Sequence, residues 1–81
     1  MAMAYSEIFI ESVKLELLNR LGLKRVYYLK QMHDDLFYDA VGSEKGTKHR
    51  FRVRPATGTL DEFISDKWMR VHSFKIKSVH H

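Results

Sequence analysis

The stretch from Lys48 to Pro55, KHRFRVRP, places a positive side chain at every second position, with Phe51 and Val53 between Arg50, Arg52 and Arg54. In an extended strand neighbouring side chains point to opposite faces, so the arginines share one face while Phe51 and Val53 take the other. Alternate residues on one face lie roughly 6.5–7 Å apart. A guanidinium clamps a phosphate with two parallel hydrogen bonds, and that spacing suits successive phosphates of a nucleic-acid strand. Lys48, at the start of the stretch, and Lys45, in the turn before it, extend the stripe. The alternation of the closing segment brings Lys75 and Lys77 to the same face. Tyr27 shares its face with Arg25 and offers a ring on which a base can stack. The chemistry expected is phosphate contact by a basic strand. Such a stripe is an electrostatic footprint and does not distinguish DNA from RNA.

Two further groups carry reactive types. His33, Asp34, Asp35 and Asp39 lie close in sequence, and their oxygen donors suit Mg²⁺ or Mn²⁺ as in a metal-dependent nuclease. Asp-Asp between two strands is equally turn chemistry, each carboxylate bonding the backbone two residues on, and this is the reading adopted. His49 beside Arg50 and Arg52 has the residue types of a small ribonuclease, an acid–base imidazole with cations for the charged phosphorane. A catalytic assignment needs mutual geometry, so His49 and His72 are taken as ordinary strand histidines. The glycines of GSEKGT enclose only Ser43, Glu44 and Lys45, and the lysine precedes the second glycine, which excludes a P-loop. No catalytic residue, metal or cofactor is assigned.

A stripe of this kind needs elements that hold it flat. SEIFIESVKLELLNRLG reads as a helix: Ile10, Val13, Leu17 and Leu21 recur at three- and four-residue steps, with Phe9 and Leu18 widening the stripe. Ser6 is a capping residue, Glu7 complements the dipole, Glu16 and Arg20 sit four apart, and Gly22 stands where a left-handed C′ residue is wanted. The period then changes to two. Lys24–Lys30 and Leu36–Val41 are rich in β-branched and aromatic residues, QMHDD separates them, and GSEKGT turns the chain into the arginine strand. Pro55 ends that strand.

In ATGTLDEFIS, Thr59 and Glu62 have the spacing of a capping box, so a short helical turn is expected there. KWMRVHSFKIKSV is expected to be the last strand, with a bulge near His72–Ser73. Tyr27, Tyr28, Phe37, Tyr38, Phe51, Phe63, Trp68 and Phe74 are enough to build the core, one of the adjacent tyrosines facing outward.

The 81 residues make room for one domain spanning 1–81, with an ordered core of about 6–79. The opening MAMA and the closing His80–His81 are read as cloning and tag residues. With 44% apolar and 30% charged residues the chain is expected to fold, and with no cysteine it lacks disulfides and thiolate metal sites. No apolar run reaches the ~18 residues of a membrane span and no signal peptide is evident, so a soluble cytoplasmic protein with no membrane partner is expected.

The fold class that follows is α+β: one N-terminal helix packed on a mainly antiparallel sheet of about four strands, with a short helical turn before the last. The net charge of +4 fits a polyanion partner. The leading expectation is a small non-enzymatic nucleic-acid-binding module using Arg50, Arg52, Arg54, Lys48, Lys45, Lys75, Lys77 and Tyr27. The alternative is an inhibitor or adaptor that meets an acidic protein surface through the same face or an edge strand. A nuclease ranks third. A homodimer would double the basic face and suit a duplex.

Overall fold

The computed structural model describes residues 4–71. Helix α1 spans Glu7–Arg20 and is followed by β1 (Leu23–Met32), β2 (Asp35–Gly42), β3 (Lys48–Arg54), β4 (Thr59–Ile64) and β5 (Lys67–Arg70). The five strands lie in chain order, each antiparallel to the next, in a single sheet. This is an α+β domain in which one helix packs on an antiparallel sheet.

The helix begins and ends where its residues dictate. Ser6 is extended, and its Oγ accepts from the Phe9 N–H at 3.1 Å, satisfying one of the orphan donors of the first turn. Glu16 and Arg20 pair at 2.9 Å. The Leu21 N–H donates to Leu17 O, and Gly22 then takes a φ of +60°, which turns the chain into β1.

Val13 and Leu17 enter a core with Val26, Leu36, Tyr38, Ala40, Phe51, Val53 and Leu60. The strand residues of that set alternate along β2 and β3, as a sheet covered on one face requires. Tyr38 is fully buried, and its hydroxyl donates to Ile10 O at 2.9 Å, tying β2 to the helix. Burial, with smaller contributions from Tyr28 and Glu11, pushes that hydroxyl far above the ordinary tyrosine range, so it remains a donor at any physiological pH.

The fold class is as expected, with five strands among the described residues for the about four anticipated. One expectation is corrected: Thr59–Ile64 is strand β4, not a helical turn. Thr59 and Glu62 have capping-box spacing, and Leu60, Phe63 and Ile64 recur as on a helix. The turn at 55–58 decides otherwise. Gly58 takes a φ of +66°, its N–H donates to Arg54 O at 2.8 Å, and the chain folds back on β3. Leu60 then lies opposite Val53 and Asp61 opposite Arg52. An isolated helical turn is a costly nucleus that closes few bonds, and the ladder offers both a core contact and an ion pair instead.

The last strand is short and ends at Arg70, after which Val71 packs against the core and donates to Leu60 O. The rest of the expected final strand, with its bulge at His72–Ser73, lies outside the described residues. No helix among the described residues is long and apolar enough to cross a membrane.

Candidate nucleic-acid interface

The helix covers one side of the sheet, and no element among the described residues covers the other. Pairing and register decide what stands on that uncovered face. On β3 it receives Lys48, Arg50, Arg52 and Arg54, and on β2 Asp35, Phe37, Asp39 and Val41. From β4 and β5 come Asp61, Phe63, Trp68 and Arg70. On β1 the register shifts between Leu23 and Arg25 and again between Tyr28 and Lys30. The second irregularity lets Lys30 join Arg25 and Tyr27 on the uncovered face, although a strict alternation would put it on the other. Tyr28 turns inward and packs on Tyr38, with ring centroids 5.5 Å apart.

The arginines share one face as their spacing requires, but they are not equivalent. Arg50 is held by Asp39 in a two-pronged contact, Nε to Oδ1 at 2.7 Å and Nη2 to Oδ2 at 3.1 Å, and its side chain is 53% exposed. Arg52 donates through Nε and Nη2 to Asp61 Oδ2 at 3.1 and 2.7 Å and is only 18% exposed. Trp68 lies over its guanidinium, 4.7 Å from Cζ to the ring centroid. Arg54 Nε sits 3.4 Å from Asp35 Oδ2, an ion pair without the alignment of a hydrogen bond. Arg52 is therefore a scaffold residue, while Arg50 stands in water.

Asp61 is the centre of this arrangement. It is 3% exposed, and Arg70 Nε donates to its Oδ1 at 2.9 Å, so both carboxylate oxygens are engaged. Burial alone would raise its pKa, but the hydrogen bonds and charges of Arg52 and Arg70 outweigh it. The carboxyl is held below its ordinary range.

Above these charges stands a layer of rings. Trp68 meets Phe63 at 5.1 Å and Phe37 at 5.6 Å between centroids, and the Lys30 ammonium lies 5.7 Å from the Phe37 centroid. Phe37, Phe63 and Trp68 are among the rings counted from sequence as enough to build the core. The register places them on the side away from the helix. Beside this layer, an open groove of about 390 Å³ runs between Tyr27 and Phe63, with Val41, the Asp39–Arg50 pair and Lys48 lining it.

Lys48 joins the face opposite Val41. Lys45 is exposed in the β2–β3 turn with a φ of +55°. Lys75 and Lys77 lie outside the described residues. His49 points to the helix side, where its Nδ1 lies 2.7 Å from Glu62 Oε2 and its ring stacks on Phe51. That orientation separates it from the arginines it would need as a ribonuclease. His33, Asp34, Asp35 and Asp39 do not converge: Asp39 and Asp35 face arginines, and no group of side chains suited to a metal occurs among the described residues.

Asp61, Asp39, Phe63, Trp68 and Val41 were not singled out from sequence as parts of this face. The signal for the acidic partners was present, because a hairpin closed at Gly42 and Thr47 sets Asp39 opposite Arg50. Comparison with family models, with curated proteins and with solved structures finds no match.

Proposed function

We propose that this domain binds nucleic acid through the uncovered sheet face, by contacts between its exposed cations and the phosphate backbone. The observation that carries the reading is an excess of positive charge on a face that no other element among the described residues covers. Asp61 serves Arg52 and Arg70 together, and Asp39 and Asp35 serve Arg50 and Arg54 singly. Arg25, Lys30 and Lys48 are exposed and have no carboxylate in ion-pair reach among the described residues. A polyanion laid across the sheet would meet these cations and displace their counterions.

A protein-interaction module is the second reading. It is favoured by the engagement of the arginine forks with carboxylates, which leaves fewer donors for phosphate and presents alternating charge to a partner.

The test is fluorescence anisotropy with labelled duplex DNA, single-stranded DNA and RNA across a range of salt. The control carries Lys30→Gln, Lys48→Gln and Arg50→Gln, which spares the structural Arg52. If these cations neutralise about three phosphates, log Kd against log salt has a slope of about 3 in magnitude on a duplex, or about 2 on a single strand. Binding should weaken with salt in that way and fail in the folded control. Absence of binding to any oligonucleotide at low salt would refute the reading and leave the protein-interaction alternative.

A further inference from the structure

We propose that the groove between Tyr27 and Phe63 is a base-stacking subsite, so that the ligand of this face is a single-stranded nucleic acid with unpaired bases. The inference rests on the nucleic-acid reading above and narrows it to one class of ligand.

Tyr27 and Phe63 are 47% and 42% exposed, although each is a flat apolar surface that a second ring would cover favourably. The Phe63 wall is backed by Trp68, itself seated over Arg52, so the ring is held ready and is not free to collapse into the groove. Tyr27 is braced by Arg25, whose Nη1 donates to the tyrosine hydroxyl at 3.5 Å.

The volume of about 390 Å³ falls at the lower end of the range of small-ligand sites, roughly 300–1,000 Å³. β2 and β3 lie between the walls, and three strand spacings of ~4.8 Å set the walls roughly 14 Å apart. One planar base cannot span that distance, but neighbouring bases can stack one on each wall. On the floor Arg50 is oriented by Asp39 through Nε and Nη2, which leaves its Nη1 hydrogens for a base edge or a phosphate. Lys48 lies within the groove and Arg25 beside Tyr27, where a phosphate backbone would leave the stacked bases. A duplex keeps its base faces inside the helix and has nothing to offer these rings. A single strand presents both faces of every base and the charge together.

The full chain is titrated at low salt with oligothymidylate, an abasic oligomer of the same length, the oligothymidylate–oligoadenylate duplex, and heparin. Trp68 is the sole tryptophan and contacts the Phe63 wall, so its fluorescence reports stacking alongside anisotropy. The expected order places oligothymidylate about a hundredfold tighter than the abasic oligomer, about tenfold for each of two stacked bases, with a change in Trp68 emission. Tyr27→Ala should reduce that preference about tenfold, the share of one stacked base, while Tyr27→Phe retains it and heparin affinity is unchanged in both. Phe63→Ala repeats the test on the other wall, and the Tyr27 variants decide the matter if it does not fold. Equal affinity for base-bearing and abasic strands, or a preference for the duplex, overturns the subsite and leaves phosphate binding intact. Absence of affinity for all four probes overturns both.

Discussion

Leu60 and Asp61 are neighbours on β4, and they are buried to nearly the same degree, 0% and 3% exposed, on opposite faces of the sheet. Leu60 enters the core that α1 covers, where its burial requires only shape and apolar neighbours. Asp61 is enclosed only because Arg52 and Arg70 donate to both of its oxygens and Trp68 roofs Arg52. The helix side is thus held by area removed from water, and the other side by a compact ion-pair and ring layer. The second kind of order is conditional, since it depends on the protonation of one carboxylate. It is also incomplete: it shields the sheet around Arg52 and leaves the part around Tyr27 and Arg50 open.

The comparison breaks most directly at Leu60. Leu60→Ala should cost about 3 kcal/mol in urea unfolding, as a large-to-small change in a tightly packed core does. The same loss should be measured at neutral and acidic pH, and at low and high salt, because no charge is involved.

Asp61→Ala should cost somewhat less, about 2 kcal/mol. Removing one partner of a fully enclosed pair costs ~3–5 kcal/mol, but Arg70 is 59% exposed and recovers its hydration when released. This loss must depend on pH. In the unfolded chain Asp61 takes up a proton near its ordinary value of ~3.9, whereas the folded carboxyl resists protonation to a lower pH. Across that window the unfolded state binds more protons, so stability rises with pH. The contribution of Asp61 is present in full above the ordinary carboxylate value and is lost as pH falls through the depressed one. Urea midpoints of the wild type and Asp61→Ala should therefore converge in acid. Parallel curves would mean that Asp61 owes its burial to packing and not to its charge.

The same pair of residues shows what was legible in the sequence. Positions that answer to local rules could be read directly: the capped helix with its stripe from Ile10 to Leu21, and the alternation that puts Phe51 and Val53 on one side and the arginines on the other. β4 was not legible, because its local pattern mimics a helical turn and only its partners on β3 make it a strand. The site divides in the same way. Strand periodicity was enough to gather Arg50, Arg52 and Arg54, but their different environments come from Asp39, Asp61 and Trp68 on other strands. Those depend on register, and on β1 the register shifts twice.

The finest test of the comparison lies within the stripe itself. Arg50→Gln should leave the urea midpoint unmoved, because its pair with Asp39 stands in water and is screened by salt. Arg52→Gln, two residues away, should lower it, because the change leaves Asp61 short of a partner and removes the cation beneath Trp68. The prediction for binding is reversed: Arg50→Gln should weaken nucleic-acid affinity in a chain of unchanged stability. If both variants destabilised the fold equally, the stripe would be scaffold along its whole length, and any ligand would have to be sought through Lys30, Lys48 and the rings. If neither did, the order of the uncovered face would rest on Trp68 and its ring neighbours, with the arginines merely lying against them.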